Sequence, residues 1–212
     1  MNVPQADGTS TLLAVDWRAY HAVNVFVSHH AWLGRLFHGV ETYGTVLIGA
    51  AAFCLWLLAR PGGDRKWKVA AGSALGAAAV GLLVNRIISS AWHRDRPFQA
   101  HHVAHLWGPR KTDASFPSDH ASAAFGIAVA VLLIDPIAGG LFLALAALIA
   151  IGRVLIGEHY PGDVLAGAAI GTIAALVVVR LARPIIVFLV RIVERGTDPL
   201  LAPLWRRRRI PA

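Results

Sequence analysis

The sequence predicts an all-α fold, a polytopic membrane bundle of five or six transmembrane helices with interfacial helices at its termini. Two observations carry this expectation. Apolar residues make up 56 % of the 212-residue chain and charged residues 15 %, against about 25 % charged in an ordinary soluble domain. The apolar residues are also gathered into five runs near the length that crosses a hydrocarbon core about 30 Å thick. The length suits one domain over 1–212, divided into an N-terminal interfacial region (1–40), a transmembrane core (41–181) and a basic tail (182–212).

The elements follow in chain order. The residues through Ser10 carry no basic residue and no apolar core, so no cleavable signal is expected. From Trp17 to His38, Val23, Phe26, Trp32 and Leu36 alternate with Arg18, His21, His29, His30 and Arg35. That mixture predicts an amphipathic helix, or a pair of them, lying at the membrane surface; a sixth span is the other reading. Spans are expected from Tyr43 to Leu58, Val69 to Ile88, Ala121 to Ile134, Ile137 to Ile156 and Val164 to Leu181. The third is short and is completed if its helix starts at Pro117 or Ser118. Small residues inside these runs, Gly72, Gly76, Gly126, Gly167 and Gly171 among them, suit close helix packing in lipid. Cys54, the single cysteine, lies in an apolar run and excludes an intrachain disulfide.

The net charge of +8 would suggest nucleic acid in a soluble protein. Here loop charge sets orientation instead, and no nucleic-acid partner is expected. Arg60, Arg65, Lys66 and Lys68 lie between the first two spans, and Arg183, Arg191, Arg195 and Arg206 to Arg209 follow the fifth. Both regions fall on one side, which the positive-inside rule makes cytoplasmic. The other side receives the loop from Ser89 to Phe116 and the turn from Glu158 to Gly162.

Three polar clusters converge on that outer side: Arg94-Asp95-Arg96-Pro97-Phe98, Phe116-Pro117-Ser118-Asp119-His120, and Arg153 with His159 and Asp163. Arginine offers a planar fork of donors suited to phosphate oxygens, so Arg96 and Arg153 can neutralise a phosphoryl group. A helix starting near Ser118 presents free N–H groups to an anion, with the Ser118 hydroxyl beside them. Pro117 suits a first-turn position. Of the two imidazoles, one can attack phosphorus and the other protonate the leaving oxygen. Asp163, four residues after His159, is expected to fix that ring if the turn is helix-like. Arg94 taken alone reads as a headgroup-facing arginine. His93, His101, His102 and His105 read as a solvated loop rather than a zinc site. The chain has no H-E-x-x-H pattern and no clustered carboxylates, and arginines surround the histidines, so neither a metal nor another cofactor is expected.

These residues resemble the signature of the type 2 phosphatidic acid phosphatase superfamily, K-x6-R-P, P-S-G-H and S-R-x5-H-x3-D. Arg96-Pro97 correspond to the end of the first motif, Pro117-Ser118-Asp119-His120 to the second, and Gly152-Arg153, His159 and Asp163 to the third. The resemblance implies His159 as nucleophile, Asp163 orienting it and His120 as general acid. Arg96, Arg153, Ser118 and the backbone around Asp119 would hold the phosphate. The family lysine falls at Ser89, which leaves Arg86, Arg94 and Lys111 as substitutes; Asp119 replaces a glycine and Gly152 a serine. The form Phe-Pro-Ser-Asp-His is similar to the bacterial undecaprenyl-diphosphatase branch. That branch implies hydrolysis of undecaprenyl diphosphate, the carrier of cell-wall precursors, at the outer face of the bacterial cytoplasmic membrane. The alternatives are a phosphatase of phosphatidic acid or phosphatidylglycerophosphate, a lipid phosphotransferase, and a non-catalytic lipid-phosphate binder or transporter. Clean spans with ionisable residues at one end disfavour a transporter.

Overall fold

The computed structural model describes residues 8–206, and within them the chain is helical with no strand. The N-terminal residues 1–7 and the Arg207–Arg209 part of the basic run lie outside the described residues. The helices are α1 (Gly8–His29), α2 (Ala31–Leu58), α3 (Lys66–Ala91), the single turn α4 (Pro97–Ala100), α5 (Asp119–Leu132), α6 (Pro136–Leu155), α7 (Pro161–Leu176) and α8 (Arg183–Arg206). A π-helical turn, Val177–Leu181, extends α7. Four helices are long and apolar enough to cross a membrane: α2, α3, α6 and α7 with its extension. The 14-residue α5 is the shorter fifth.

The starts of the helices are written in local chemistry. Asp135 caps α6 by accepting from Ala138 N at 3.1 Å, with Pro136 in the first turn. Ser118 is the N-cap of α5. Pro117 therefore precedes the helix instead of occupying its first turn, because the serine oxygen takes the cap position. At α7, Pro161 opens the first turn and Asp163 accepts from Tyr160 N at 3.0 Å.

The N-terminal region departs from the expectation. Its helix breaks at His30, where φ is −122° and ψ 64°, and the second half runs without interruption into the first span. That span begins at Ala31 rather than Tyr43. His38 and Glu41 interrupt the apolar run in the sequence, but Glu41 finds cationic partners across the bundle, so the helix passes through them. The structure thus has a helix pair over this stretch, of which α1 alone stays separate from a span.

α5 is the centre of the bundle, packed against α3, α6 and α7. Gly167 and Gly171 line the α7 face that meets it. A Cβ at either would collide with the backbone carbonyl of Ser118 or Ser122, so the close crossing needs glycine. Ala70, Ala74, Ala77, Ala124, Ala128, Ile149 and Ile48 fill the interior, while Leu83, Ile87, Leu141 and Leu165 face outward, as lipid contact requires. α8 lies along the first half of α3, with Ile186 and Val190 over Gly72 and Gly76. Glu194 and Asp198 hold the buried Lys68 at 3.2 and 2.6 Å. This packing brings the C-terminal end of α3 and the N-terminal ends of α5 and α7 to one end of the bundle.

Candidate active site

All three clusters meet at that end. His159 stands in the turn between α6 and α7 and is buried. Its Nδ1 lies 2.8 Å from the carbonyl oxygen of Ser115. A carbonyl only accepts, so Nδ1 carries the proton and Nε2 keeps its lone pair. Nε2 points between Arg96 Nη1 at 3.2 Å and Arg153 Nη2 at 3.3 Å. Burial, then the charges of Arg153 and Arg96, push the imidazole pKa well below its ordinary value. Both effects favour the neutral ring, whose Nε2 lone pair faces the two guanidinium groups.

Asp163 is placed differently from the helix-turn expectation. The backbone is extended at Tyr160, and Asp163 Oδ2 lies 3.6 Å from His159 Nδ1, beyond hydrogen-bond length. The carboxylate instead accepts from Ser115 Oγ at 2.5 Å and from Tyr160 N, and pairs with Arg94 Nη1 at 2.5 Å. Asp163 therefore holds the residue whose carbonyl holds the histidine.

The arginines are themselves held by carboxylates that the motif reading did not single out. Arg153 is fully buried; it pairs with Glu41 Oε1 at 2.5 Å and with Glu158. Arg96 reaches Asp113 Oδ2 at 3.0 Å and Glu158 Oε2 at 3.4 Å. Burial raises the pKa of the Asp113 carboxyl, but the charge and hydrogen bond of Arg96, a backbone hydrogen bond and the Lys111 charge together outweigh it and hold the group below its usual range. Lys111 joins the same network, 3.2 Å from Glu41 Oε1 and 2.9 Å from Glu158 Oε2. His120, in the first turn of α5, has its Nε2 3.9 Å from Glu41 Oε1.

Among the substitutes for the lysine at Ser89, only Lys111 enters this network. Arg94 serves Asp163, and Arg86 is exposed on α3. Asp119 is turned away, its Oδ1 accepting from Asn85 Nδ2 at 2.8 Å, which frees the first-turn N–H groups of α5 from a neighbouring carboxylate. Ser118 Oγ faces Ala121 N at 3.5 Å, a loose cap. The histidine-rich loop is less solvated than expected at one point: His101 stacks on Trp17 of α1 with centroids 3.5 Å apart. Among the described residues, no group of three or more His, Cys, Asp or Glu side chains has a metal-binding arrangement.

Glu41 carried a signal in the sequence. It is the only acid in the 28 residues of α2, and an isolated carboxylate in an apolar helix demands a partner. Ser115 carried none, because its contact with His159 is made by a backbone carbonyl.

Residues 70–186 match the family described as the PAP2 superfamily. The chain belongs to that superfamily. It is a phosphatase of membrane lipid phosphates, and with its four long apolar helices and bacterial relatives it is a bacterial membrane protein. The undecaprenyl-diphosphatase BcrC of Bacillus subtilis is 30 % identical over 183 residues, covering 85 % of this chain and 92 % of its own. The decaprenylphosphoryl-5-phosphoribose phosphatase of Mycobacterium tuberculosis is 33 % identical over 151 residues, covering 66 % of this chain and 75 % of its own. The crystal structure of Aquifex aeolicus LpxE superposes with a TM-score of 0.64 at 22 % identity, over 77 % of this chain and 93 % of that one. The match of 70–186 spans all three clusters but leaves α1 and α2 outside it.

Proposed function

We propose that this PAP2 phosphatase hydrolyses undecaprenyl diphosphate to undecaprenyl phosphate and inorganic phosphate, through a phosphohistidine at His159. The observation that carries the reading is the placement of His159 Nε2 between two buried guanidinium groups, with Nδ1 tied to the Ser115 carbonyl. The extensive likeness to an undecaprenyl-diphosphatase supports the substrate.

The terminal phosphoryl group binds with its non-bridging oxygens on Arg96, Arg153 and Lys111, facing the first turn of α5 and Ser118. The Nε2 lone pair attacks phosphorus in line with the bridging oxygen. The P–O bond breaks, and His120 gives the departing lipid phosphate a proton. Water then attacks the phosphohistidine while His120 takes its proton; the P–N bond breaks, phosphate leaves and His159 is restored. The arginines neutralise charge on the phosphoryl oxygens in both steps. No metal is assigned a step. The basic residues at the far end of the bundle, Arg60, Arg65, Lys66, Arg191 and Arg195, favour that end as cytoplasmic and the site as outward-facing.

A prenyl-phosphoryl sugar phosphate is the second reading, favoured by the mycobacterial relative. Phosphate release by the purified protein in detergent, without added metal, separates the readings. Undecaprenyl diphosphate, decaprenylphosphoryl-5-phosphoribose and phosphatidic acid are compared. The highest kcat/KM on the prenyl diphosphate is expected. Preference for phosphatidic acid would move the protein into glycerolipid metabolism, and activity on none of the three would overturn the reading.

A further inference from the structure

The helix that the family match leaves out is bound to the catalytic loops along one face. Asp16, Tyr20 and Asn24 recur every four residues on α1 and so line one side of it. Asn24 clamps the 101–107 loop through two bonds, Nδ2 to His105 O and His105 N to Oδ1, both 2.8 Å. The buried Tyr20 hydroxyl donates to Gly157 O at 3.4 Å, two residues before His159. Asp16 makes the most consequential pair of contacts. Its Oδ1 accepts from Gly162 N at 2.8 Å, in the first turn of α7, and its Oδ2 pairs with Arg94 Nη2 at 2.8 Å.

Arg94 is fixed on three sides. Its Nη2 meets Asp16, its Nη1 meets Asp163, and its guanidinium lies 3.8 Å from the centre of the Tyr160 ring. Asp163 passes the constraint to Ser115 Oγ, and the Ser115 carbonyl sets His159 Nδ1. An unbroken chain of polar contacts thus runs from α1 to the imidazole. Gly162 belongs to the same arrangement, because a Cβ there would lie 2.8 Å from Asp16 Oδ2. The approach of α1 needs that position to lack a side chain.

We propose that Asp16 is a positioning residue for the reaction, acting through Arg94 and Asp163 on the orientation of His159, and that α1 is thereby a working part of the phosphatase rather than a membrane-surface anchor. This rests on His159 being the nucleophile.

The test uses the full chain with the lipid phosphate that wild type turns over best, and compares H159A, D16A, D16N, R94Q and the double variant D16A/R94Q. D16A lowers kcat on the order of 10- to 100-fold, as a small misplacement of reacting groups does, with KM within about threefold because the phosphate donors are untouched. D16N keeps an acceptor for Gly162 N but loses the charge that holds Arg94, and falls between wild type and D16A. In the R94Q background, D16A lowers kcat by clearly less than it does alone, since the part of its effect that runs through Arg94 is already gone and only the Gly162 contact remains. Thermal unfolding in detergent reports the folded fraction, so kcat is expressed per folded molecule. Wild-type kcat in folded D16A, or losses from D16A and R94Q that multiply, would overturn the inference. Turnover by H159A would instead overturn the assignment of the nucleophile, so the two failures are told apart.

Discussion

The Nδ1 atom of His159 lies 2.8 Å from the carbonyl oxygen of Ser115. A backbone carbonyl cannot donate, so one tautomer is imposed on a buried ring, and the unprotonated Nε2 is aimed at the two arginines. His159→Ala is expected to lower phosphate release by at least about 10³-fold, the scale of losing a nucleophile. The variant should still bind a lipid phosphate, because Arg96, Arg153 and Lys111 remain. Single-turnover phosphate release, together with equilibrium binding of the lipid, checks both halves; near-normal release would exclude a phosphohistidine.

The acid limb of the pH profile follows from the same ring. Burial and the Arg153 and Arg96 charges depress its pKa below the ordinary 6.5. The ring therefore stays neutral as pH falls through 6.5, and if it is the nucleophile, kcat/KM of the free enzyme should begin to drop only at lower pH. The sign for stability is the one for a depressed histidine. The unfolded chain binds the proton more readily, so the contribution is present above about pH 6.5 and is lost as pH falls toward the folded value. Comparing kcat/KM and melting temperature across pH 7.5 to 5 tests this; an acid limb centred above 6.5 contradicts it.

The readable and unreadable parts of this site divide along a physical line. Arg96, Arg153, His120 and His159 could be picked out as candidates because they lie near helix ends and counting spans brings them to one face, where the structure does place them together. The start of α5 was legible because Ser118 precedes an apolar run, whereas the Asp135 cap places the start of α6 at Pro136, one residue before the run expected from Ile137. The partners were not legible. Glu158 sits beside His159 in the sequence, yet its pairing with Arg96, 62 residues earlier, exists only after folding. Ser115 acts through its backbone, and Asp16 acts from a helix whose polar and apolar residues alternate as they would at a membrane surface. The first span starts at Ala31 rather than Tyr43 for a related reason: Glu41 reads as a polar break in the sequence, and its partner Arg153 is supplied only by the fold.

On the proposed reading, Glu158 competes with the substrate for its donors. Its Oε2 contacts Arg96, Arg153 and Lys111, and the same Arg96 and Arg153 nitrogens flank His159 Nε2. Glu158→Gln removes the competing charge while keeping the shape. The inhibition constant for vanadate should fall on the order of tenfold, about 1.4 kcal/mol. A rise instead would show that the carboxylate serves mainly to aim the arginines. Steady-state inhibition at fixed lipid phosphate decides between them.

Lys111 is expected to supply the cation that the family places where this chain has Ser89. Its ammonium lies 2.9 Å from Glu158 Oε2, inside the network around Arg153, whereas Arg86 is exposed on α3. Lys111→Ala should cost roughly 10- to 100-fold in kcat/KM, as loss of one charge-stabilising donor does. Arg86→Ala should leave kcat/KM within about twofold, the scale of a surface change away from the site. The reverse ranking would make Arg86 the phosphate ligand.

The pair between Glu41 and Arg153 links two membrane helices, α2 and α6, and its cost is asymmetric. The two side chains are 9 % and 1 % exposed and 2.5 Å apart. Removing one partner leaves a charge stranded in a poorly solvated interior, which typically costs about 3–5 kcal/mol. Glu158 still faces Arg153, so Glu41→Ala should fall at the low end, about 3 kcal/mol. Replacing both charges with apolar groups, as in Glu41→Leu with Arg153→Met, should recover much of that stability while abolishing activity, because the stranded charge is gone but so is the phosphate donor. Thermal unfolding in detergent, measured beside phosphate release, checks the two outcomes separately. An unchanged melting temperature in Glu41→Ala would mean that Glu158 and Lys111 satisfy the network without help from α2.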